Sequence, residues 1–276
     1  MNRRHFTFDC AGDSLAGSVD QAAATTGLLI VTGGNELRCG PYGSHADLAG
    51  KIATAGFPVM RFDRRGVGDS AGVNAGFADS RADIAAAIAA FRQQVPRLKQ
   101  IVAFGNCDAA SALMLASGTG CAALVLANPW TFEPEPEPGP GPADDAAPEI
   151  EAKPQMTPAA IRAHYLRRLM DPRAVLRLLT GKVKVGQMAG SLIEAAKPAP
   201  PPTSLAQDMA AGLAQFSGPA TLLVAESDRT GQVFLSHWNK ADQRIRICPK
   251  AGHSFVEPQA RNWLQGQLLG ALRSAG

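Results

Sequence analysis

The chain has no C-x-x-C pair, no apolar run approaching the ~20 residues of a membrane span, and a net charge of only +3. Each absence closes a class of protein. Its five cysteines (Cys10, Cys39, Cys107, Cys121 and Cys248) are odd in number and scattered. Neither a disulfide framework nor a zinc site is expected from them. A reduced, cytoplasmic protein without metal or cofactor is the natural expectation. The small charge excess gives no argument for a nucleic-acid partner. Arg3-Arg4 superficially suggest a twin-arginine signal, but Asp9, Gly12, Asp13 and Ser14 interrupt any apolar core behind them. Export is therefore not expected, and Cys10 lacks the apolar lead-in of a lipidated cysteine. What remains is an ordinary globular balance, 46% hydrophobic and 18% charged over 276 residues, enough to bury a large core.

The first third alternates strand and helix. Residues 3–10 and 14–20 suit a hairpin, and Gly27–Thr32 is an apolar run of buried-strand length. Leu48, Ile52 and Ala55 fall at helical spacing with Gly56 as a stop. Pro58–Asp63 reads as another strand, followed by the turn Arg64–Ser70. Ile84, Ile88, Phe91 and Val95 form an amphipathic stripe. Ile101–Phe104 and Cys121–Asn128 then read as further buried strands. Repeated alternation predicts an α/β fold, a mostly parallel sheet with helices on both faces. Reactive groups in such sheets gather beyond the carboxyl ends of the strands.

The alternation breaks near residue 130. Glu133–Pro142 alternates Glu, Pro and Gly and reads as an extended linker. Thr157-Pro158 and Asp171-Pro172 look like helix caps with proline at the first helical position, and a further helix is expected near 187–197. We divide the chain into core residues 1–130, a linker and helical cap at 131–205, and core residues 206–276. A helix carrying Leu205, Met209, Leu213 and Phe216 ends the insertion across the second boundary, and Trp263, Leu264, Leu268 and Leu272 form the buried side of the final helix. The cap is basic (Arg162, Arg167, Arg168, Arg173, Arg177, Lys182 and Lys184). It could meet an anionic substrate or a membrane surface peripherally, or simply be solvated and balanced by the acidic linker.

Chemistry centres on Cys107. In Phe104-Gly-Asn-Cys-Asp-Ala109 a strand meets a helix through a small-x-nucleophile-x-small turn. Such a turn is too sharp for large residues two positions either side of its apex. Gly105 and Ala109 fill those positions. Cysteine replaces the usual serine, so acyl transfer would pass through a thioester, although free cysteine is more often just buried. Asp228 follows the strand at 219–225, and His253 lies in a Gly-His turn after the alternating stretch 243–248. The order nucleophile, acid, histidine predicts a Cys107–His253–Asp228 triad, with Glu226 as a second candidate acid.

A helix N-terminus favours a thiolate at Cys107. Asp228 would fix the imidazole tautomer. The expected oxyanion donors are the backbone N–H of Asp108 and that of Gly34 or Asn35, in the glycine-bearing loop after the first buried strand. An acidic Asp108 side chain pointing inward would oppose the thiolate. Arg38 could clamp a substrate carboxylate or merely solvate its loop.

These residues carry a resemblance. Thr32-Gly-Gly-Asn35 with Gly43-Ser-His45, Arg61-Phe-Asp-Arg-Arg-Gly-Val-Gly-Asp-Ser70, the Cys107 elbow and the Asp228 and His253 turns resemble an α/β-hydrolase of the serine-aminopeptidase-like branch. More narrowly, they resemble hydrolase 1 of the exosortase A-associated systems. The resemblance implies the α/β-hydrolase fold and a role beside exopolysaccharide production, without implying a substrate. The cysteine elbow is also similar to that of dienelactone hydrolases, which implies that cysteine supports ester hydrolysis in this fold.

The expected function is thus acyl hydrolysis or transfer on a small-molecule ester or thioester. The alternative is a non-catalytic scaffold of the same fold that binds a partner or lipid-linked sugar. Oligomeric state is not legible.

Overall fold

The computed structural model describes residues 2–132 and 203–276. The linker and cap expectations from Glu133 to Pro202, including the basic residues between Arg162 and Lys184, lie outside the described residues.

The described residues build one eight-stranded sheet in the order β1-β2-β4-β3-β5-β6-β7-β8. Its strands are β1 (Arg3–Cys10), β2 (Asp13–Asp20), β3 (Thr26–Val31), β4 (Val59–Phe62), β5 (Gln100–Asn106), β6 (Ala123–Ala127), β7 (Ala220–Ala225) and β8 (Ile245–Cys248). The opening hairpin is antiparallel, and β2 also meets β4 antiparallel. From β4 to β8 every pairing is parallel. The continuous apolar runs of β3, β5 and β6 are what a strand covered on both faces requires, and these strands are buried almost throughout.

Two apolar layers flank the sheet. One face is covered by α2 (Arg81–Gln94), α3 (Asp108–Leu115), α4 (Ser204–Gln215) and α5 (Arg229–His237). The other carries α1 (Ser44–Thr54) and α6 (Pro258–Ser274), which bury Leu48, Ile52, Leu264, Leu268 and Leu272 against the strands. The stripe on α2 buries Ile84, Ile88 and Phe91 as its spacing predicts. Two details differ from the sequence expectation. Cys121 precedes β6 and is half-buried, because the ladder with β5 begins at Ala123. Helix α5 carries no extended apolar pattern and was not anticipated; Val233 and Phe234 are its buried apolar residues.

β1 and β2 lie at one edge and β8 at the other. Ile247 on β8 is exposed, consistent with an edge strand. The central position of β5 puts its carboxyl end, and hence Cys107, between the loops that follow β3 and β6.

Candidate active site

Cys107 occupies a backbone conformation, φ 61° and ψ −129°, that non-glycine residues rarely adopt. It caps the N-terminus of α3. The turn is held by its neighbours: Cys107 N–H donates to Ala127 O (2.9 Å), and its carbonyl accepts from Ala110, Ser111 and Trp130 N–H. Gly105 must be glycine, since a Cβ there would lie 2.7 Å from the carbonyl carbon of Ala109. Strain kept by surrounding hydrogen bonds is a feature of reactive turns.

His253 stands beside the elbow. Its Nδ1 is 3.0 Å from Asp228 Oδ1, and its ring also hydrogen-bonds Cys107. The Asp228 hydrogen bond, then that of Cys107, raises the imidazole pKa to about 10 against opposing desolvation. Asp228 is 7% exposed and does two jobs. Its Oδ2 accepts from Gly231 N–H (2.9 Å), capping α5, while Oδ1 faces the histidine. The helix cap and the contact with His253 therefore share one carboxylate. Glu226 turns away to accept Lys250 N–H (2.8 Å).

Two asparagines that the sequence did not flag hold this arrangement. Asn128, fully buried, donates from Nδ2 to Asn106 Oδ1 (3.0 Å) and to His253 O (3.1 Å), and accepts from Ala225 N–H (2.8 Å). Asn106 Nδ2 also donates to His253 O (3.2 Å). One small network thus ties β5, β6, β7 and the histidine loop together. The only signal in the sequence was position, since both asparagines sit at strand carboxyl ends.

The loop after β3 departs from expectation. Gly34 N–H donates to both carboxylate oxygens of Asp108 (2.9 and 2.7 Å), so the Gly34 donor is already engaged by an anion. Asp108 does point inward, and Arg64 Nη2 lies 3.5 Å from it. Arg64 also donates to Gly34 O (2.6 Å) and to Ser80 Oγ (2.9 Å), bracing the loop from beneath. A Cβ at Gly33 would lie 2.1 Å from Asp108 Oδ1, so a side chain there would require the carboxylate to move. Asn35 Oδ1 accepts from Asn74 Nδ2 (2.9 Å).

Arg38, considered as a substrate clamp, is instead a brace. Its guanidinium pairs with Asp63 and with Asp69 (2.8 Å), and its Nε donates to Ser18 Oγ (3.1 Å). The Arg61–Ser70 motif folds inward with it. Arg61 and Asp63 are buried, and Ser70 Oγ donates to Asp63 O (2.7 Å).

Burial pushes the Cys121 thiol up to about 12 and also raises those of Cys10 and Cys248. These three are poor nucleophiles. Among the described residues, no three His, Cys, Asp or Glu side chains group as metal ligands, and no helix is long and apolar enough to cross a membrane.

Residues 39–263 match the sequence model of the alpha/beta hydrolase family. No curated protein matches the chain in sequence. Solved structures share its architecture at low identity. An esterase from Pyrococcus furiosus superposes with a TM-score of 0.60 at 12% identity, covering 99% of this chain and 91% of that one. Est1E from Butyrivibrio proteoclasticus, solved with ferulic acid, gives 0.58 at 14% identity, over 97% and 99%. A thioesterase domain from the curacin biosynthetic pathway gives 0.50 at 13% identity, over 98% and 100%.

Proposed function

The chain belongs to the alpha/beta hydrolase family, and on that footing we propose that it cleaves or transfers the acyl group of a small ester or thioester through Cys107. The observation that carries the reading is the placing of one imidazole between Asp228 and a thiol on a strained turn.

In this mechanism His253 holds the proton of Cys107, and the thiolate attacks the acyl carbonyl. The tetrahedral intermediate collapses as His253 donates its proton to the departing alkoxide or thiolate. Water, or another acceptor, then gives a proton to His253 and attacks the acyl-cysteine, and the thiolate leaves. Asp228 orients the ring and favours the imidazolium throughout. The oxyanion would rest on Asp108 N–H and Gly34 N–H, with Asn35 N–H as the other candidate. The Asp108 carboxylate now marks that spot as one that accepts negative charge, and it must swing aside for the oxyanion to enter. The esterase and thioesterase named among similar folds favour the same reaction class.

A reduced, cytoplasmic setting is part of the proposal, because the nucleophile must stay a thiol. The exosortase-system resemblance supports a place beside exopolysaccharide production, where acylated sugars are natural substrates.

The test is iodoacetamide alkylation followed by peptide mass spectrometry between pH 5 and 9, for wild type and His253→Ala. We expect Cys107 to react far faster than the other four cysteines at pH 6, and the advantage to vanish in the variant. A panel of p-nitrophenyl esters and acyl thioesters should then turn over in the wild type and not in Cys107→Ala. A Cys107 that reacts like Cys121 would instead favour a binding scaffold.

A further inference from the structure

Beside the triad lies a small cavity of about 30 Å³, room for a hydroxyl or another water-sized group rather than for a whole small molecule. Leu48, Phe104 and Leu264 contribute its apolar lining, and Asn106 and Ser254, the chain neighbours of Cys107 and His253, contribute to its wall. Glu36 and His45 also line it. None of the mechanism above uses them.

His45 is built into this wall. The residue is 9% exposed and packs edge-on to Phe104, with ring centroids 6.4 Å apart. Gly40, at φ +73°, lies against it so closely that a Cβ would come within 2.5 Å of its Cγ. Burial, with Arg61 nearby, lowers its pKa to about 4, so the ring is neutral at physiological pH. Yet its Nδ1 is buried and has no hydrogen-bond partner among the described residues. An unmet buried polar atom is costly. The nearest charged group is Glu36, whose Oε2 is 3.9 Å away, too far for a hydrogen bond. Glu36 N–H donates to Gly33 O (2.9 Å), and burial raises the pKa of its carboxyl group.

We infer that the Glu36–His45 pair is a subsite for a neutral hydroxyl-bearing group, a polyol or sugar-like part of the substrate ester. A hydroxyl both donates and accepts. One hydroxyl oxygen can sit within ordinary reach of both Glu36 Oε2 and His45 Nδ1, giving its proton to the carboxylate and accepting from the ring, or donating to an unprotonated Nδ1 while a neighbouring hydroxyl serves Glu36. Charged groups fit less well. Arg261 lines the cavity and Arg61 acts on His45, which opposes a cation. Glu36, with Asp108 close enough to act on it, opposes an anion.

The inference rests on the acyl-hydrolase reading for its link to turnover, but binding can be measured without turnover. Saturation-transfer NMR on Cys107→Ala protein would use methyl glucoside as the polyol probe, with tetramethylammonium and butyrate as charged probes. Transfer to methyl glucoside should fall at least fivefold in Glu36→Ala and in His45→Leu, and largely return in Glu36→Gln, which still offers an acceptor. Circular dichroism checks that each variant is folded; Glu36→Ala carries the test if His45→Leu is not. No transfer in the parent protein, equal transfer in both truncations, or stronger transfer to a charged probe would overturn the site. Kinetically, the wild type should prefer glycerol monobutyrate to propyl butyrate by roughly tenfold in kcat/KM, one net hydrogen bond's worth, and Glu36→Ala should bring the pair close to parity. Methyl glucoside binding without hydrolysis of any ester would refute the acyl reading and keep the subsite. Hydrolysis of both esters at parity without binding would do the reverse.

Discussion

His253 and His45 both border the region beyond the carboxyl end of the central strands, and they are held in opposite ways. His253, in the loop after β8, hydrogen-bonds a carboxylate and a thiol, and its pKa rises to about 10. His45, in the first turn of α1, is more deeply buried and has no partner for Nδ1 among the described residues, and its pKa falls to about 4. Residue type is the same, so the difference lies in what each ring faces. A partner that stabilises the imidazolium outweighs partial burial at His253. At His45 desolvation acts with a nearby guanidinium and leaves a neutral ring. One arrangement suits moving protons and the other suits recognising a neutral group.

Asp228→Asn attacks the contrast at its source and should have the largest effect. The amide still caps α5, since asparagine is as good an N-cap as aspartate, but the thermal midpoint should fall near neutral pH because the carboxylate that raises the His253 pKa is gone. Loss of the charge and of the correct tautomer should lower kcat by about 10³–10⁴-fold on whichever ester is turned over. A loss of stability with kcat unchanged would mean that Asp228 matters mainly as a cap.

Stability against pH sharpens the comparison, because the two rings contribute slopes of opposite sign. For His45 the folded pKa lies below the unfolded ~6.5. Its unfolded state binds more protons between pH 6.5 and 4, so stability is lost as pH falls through that window, by up to about 3 kcal/mol. For His253 the folded pKa lies above the unfolded value. Its contribution is complete below pH 6.5 and is lost as pH rises toward 10. Urea titrations across pH 4–10 should show the acid-side slope diminished in His45→Gln and the alkaline-side slope diminished in His253→Ala. Exchange of those two outcomes would reverse the assignment.

The smallest expected change concerns the acid between the two sites. Asp108→Ala frees Gly34 N–H and removes a negative charge from beside Cys107. The alkylation rate of Cys107 near pH 6 should rise severalfold, and turnover with it. A fall in both would make the carboxylate part of the working machinery.

Much of this molecule was readable in advance for a local reason. The elbow declares itself through Gly105, Cys107 and Ala109 because the turn tolerates only small residues around its apex. The strands at 26–31, 100–106 and 123–127 are visible as apolar runs because both of their faces are covered. Helix α5 was missed because little of its surface is buried apolar side chain. Asn106 and Asn128 were missed because nothing in their neighbouring residues distinguishes a buried clamp from a polar turn. Arg38 misled because an arginine in a glycine-rich loop looks free until Asp63 and Asp69 are brought to it.

By itself the sequence determined the alternation of strands and helices, the order of thiol, acid and imidazole, and the glycine that makes the sharp turn at Cys107 feasible. These depend on side-chain period and on local sterics, which act over a few residues. Tertiary structure alone decided that Asp228 rather than Glu226 meets His253, that an aspartate carboxylate rests on Gly34 N–H, and that His45 faces a cavity with an unmet nitrogen. Those outcomes depend on distances between groups tens to more than a hundred residues apart, and on how much water each keeps. Hydrogen bonding and desolvation read that three-dimensional neighbourhood, and no run of adjacent residues encodes it.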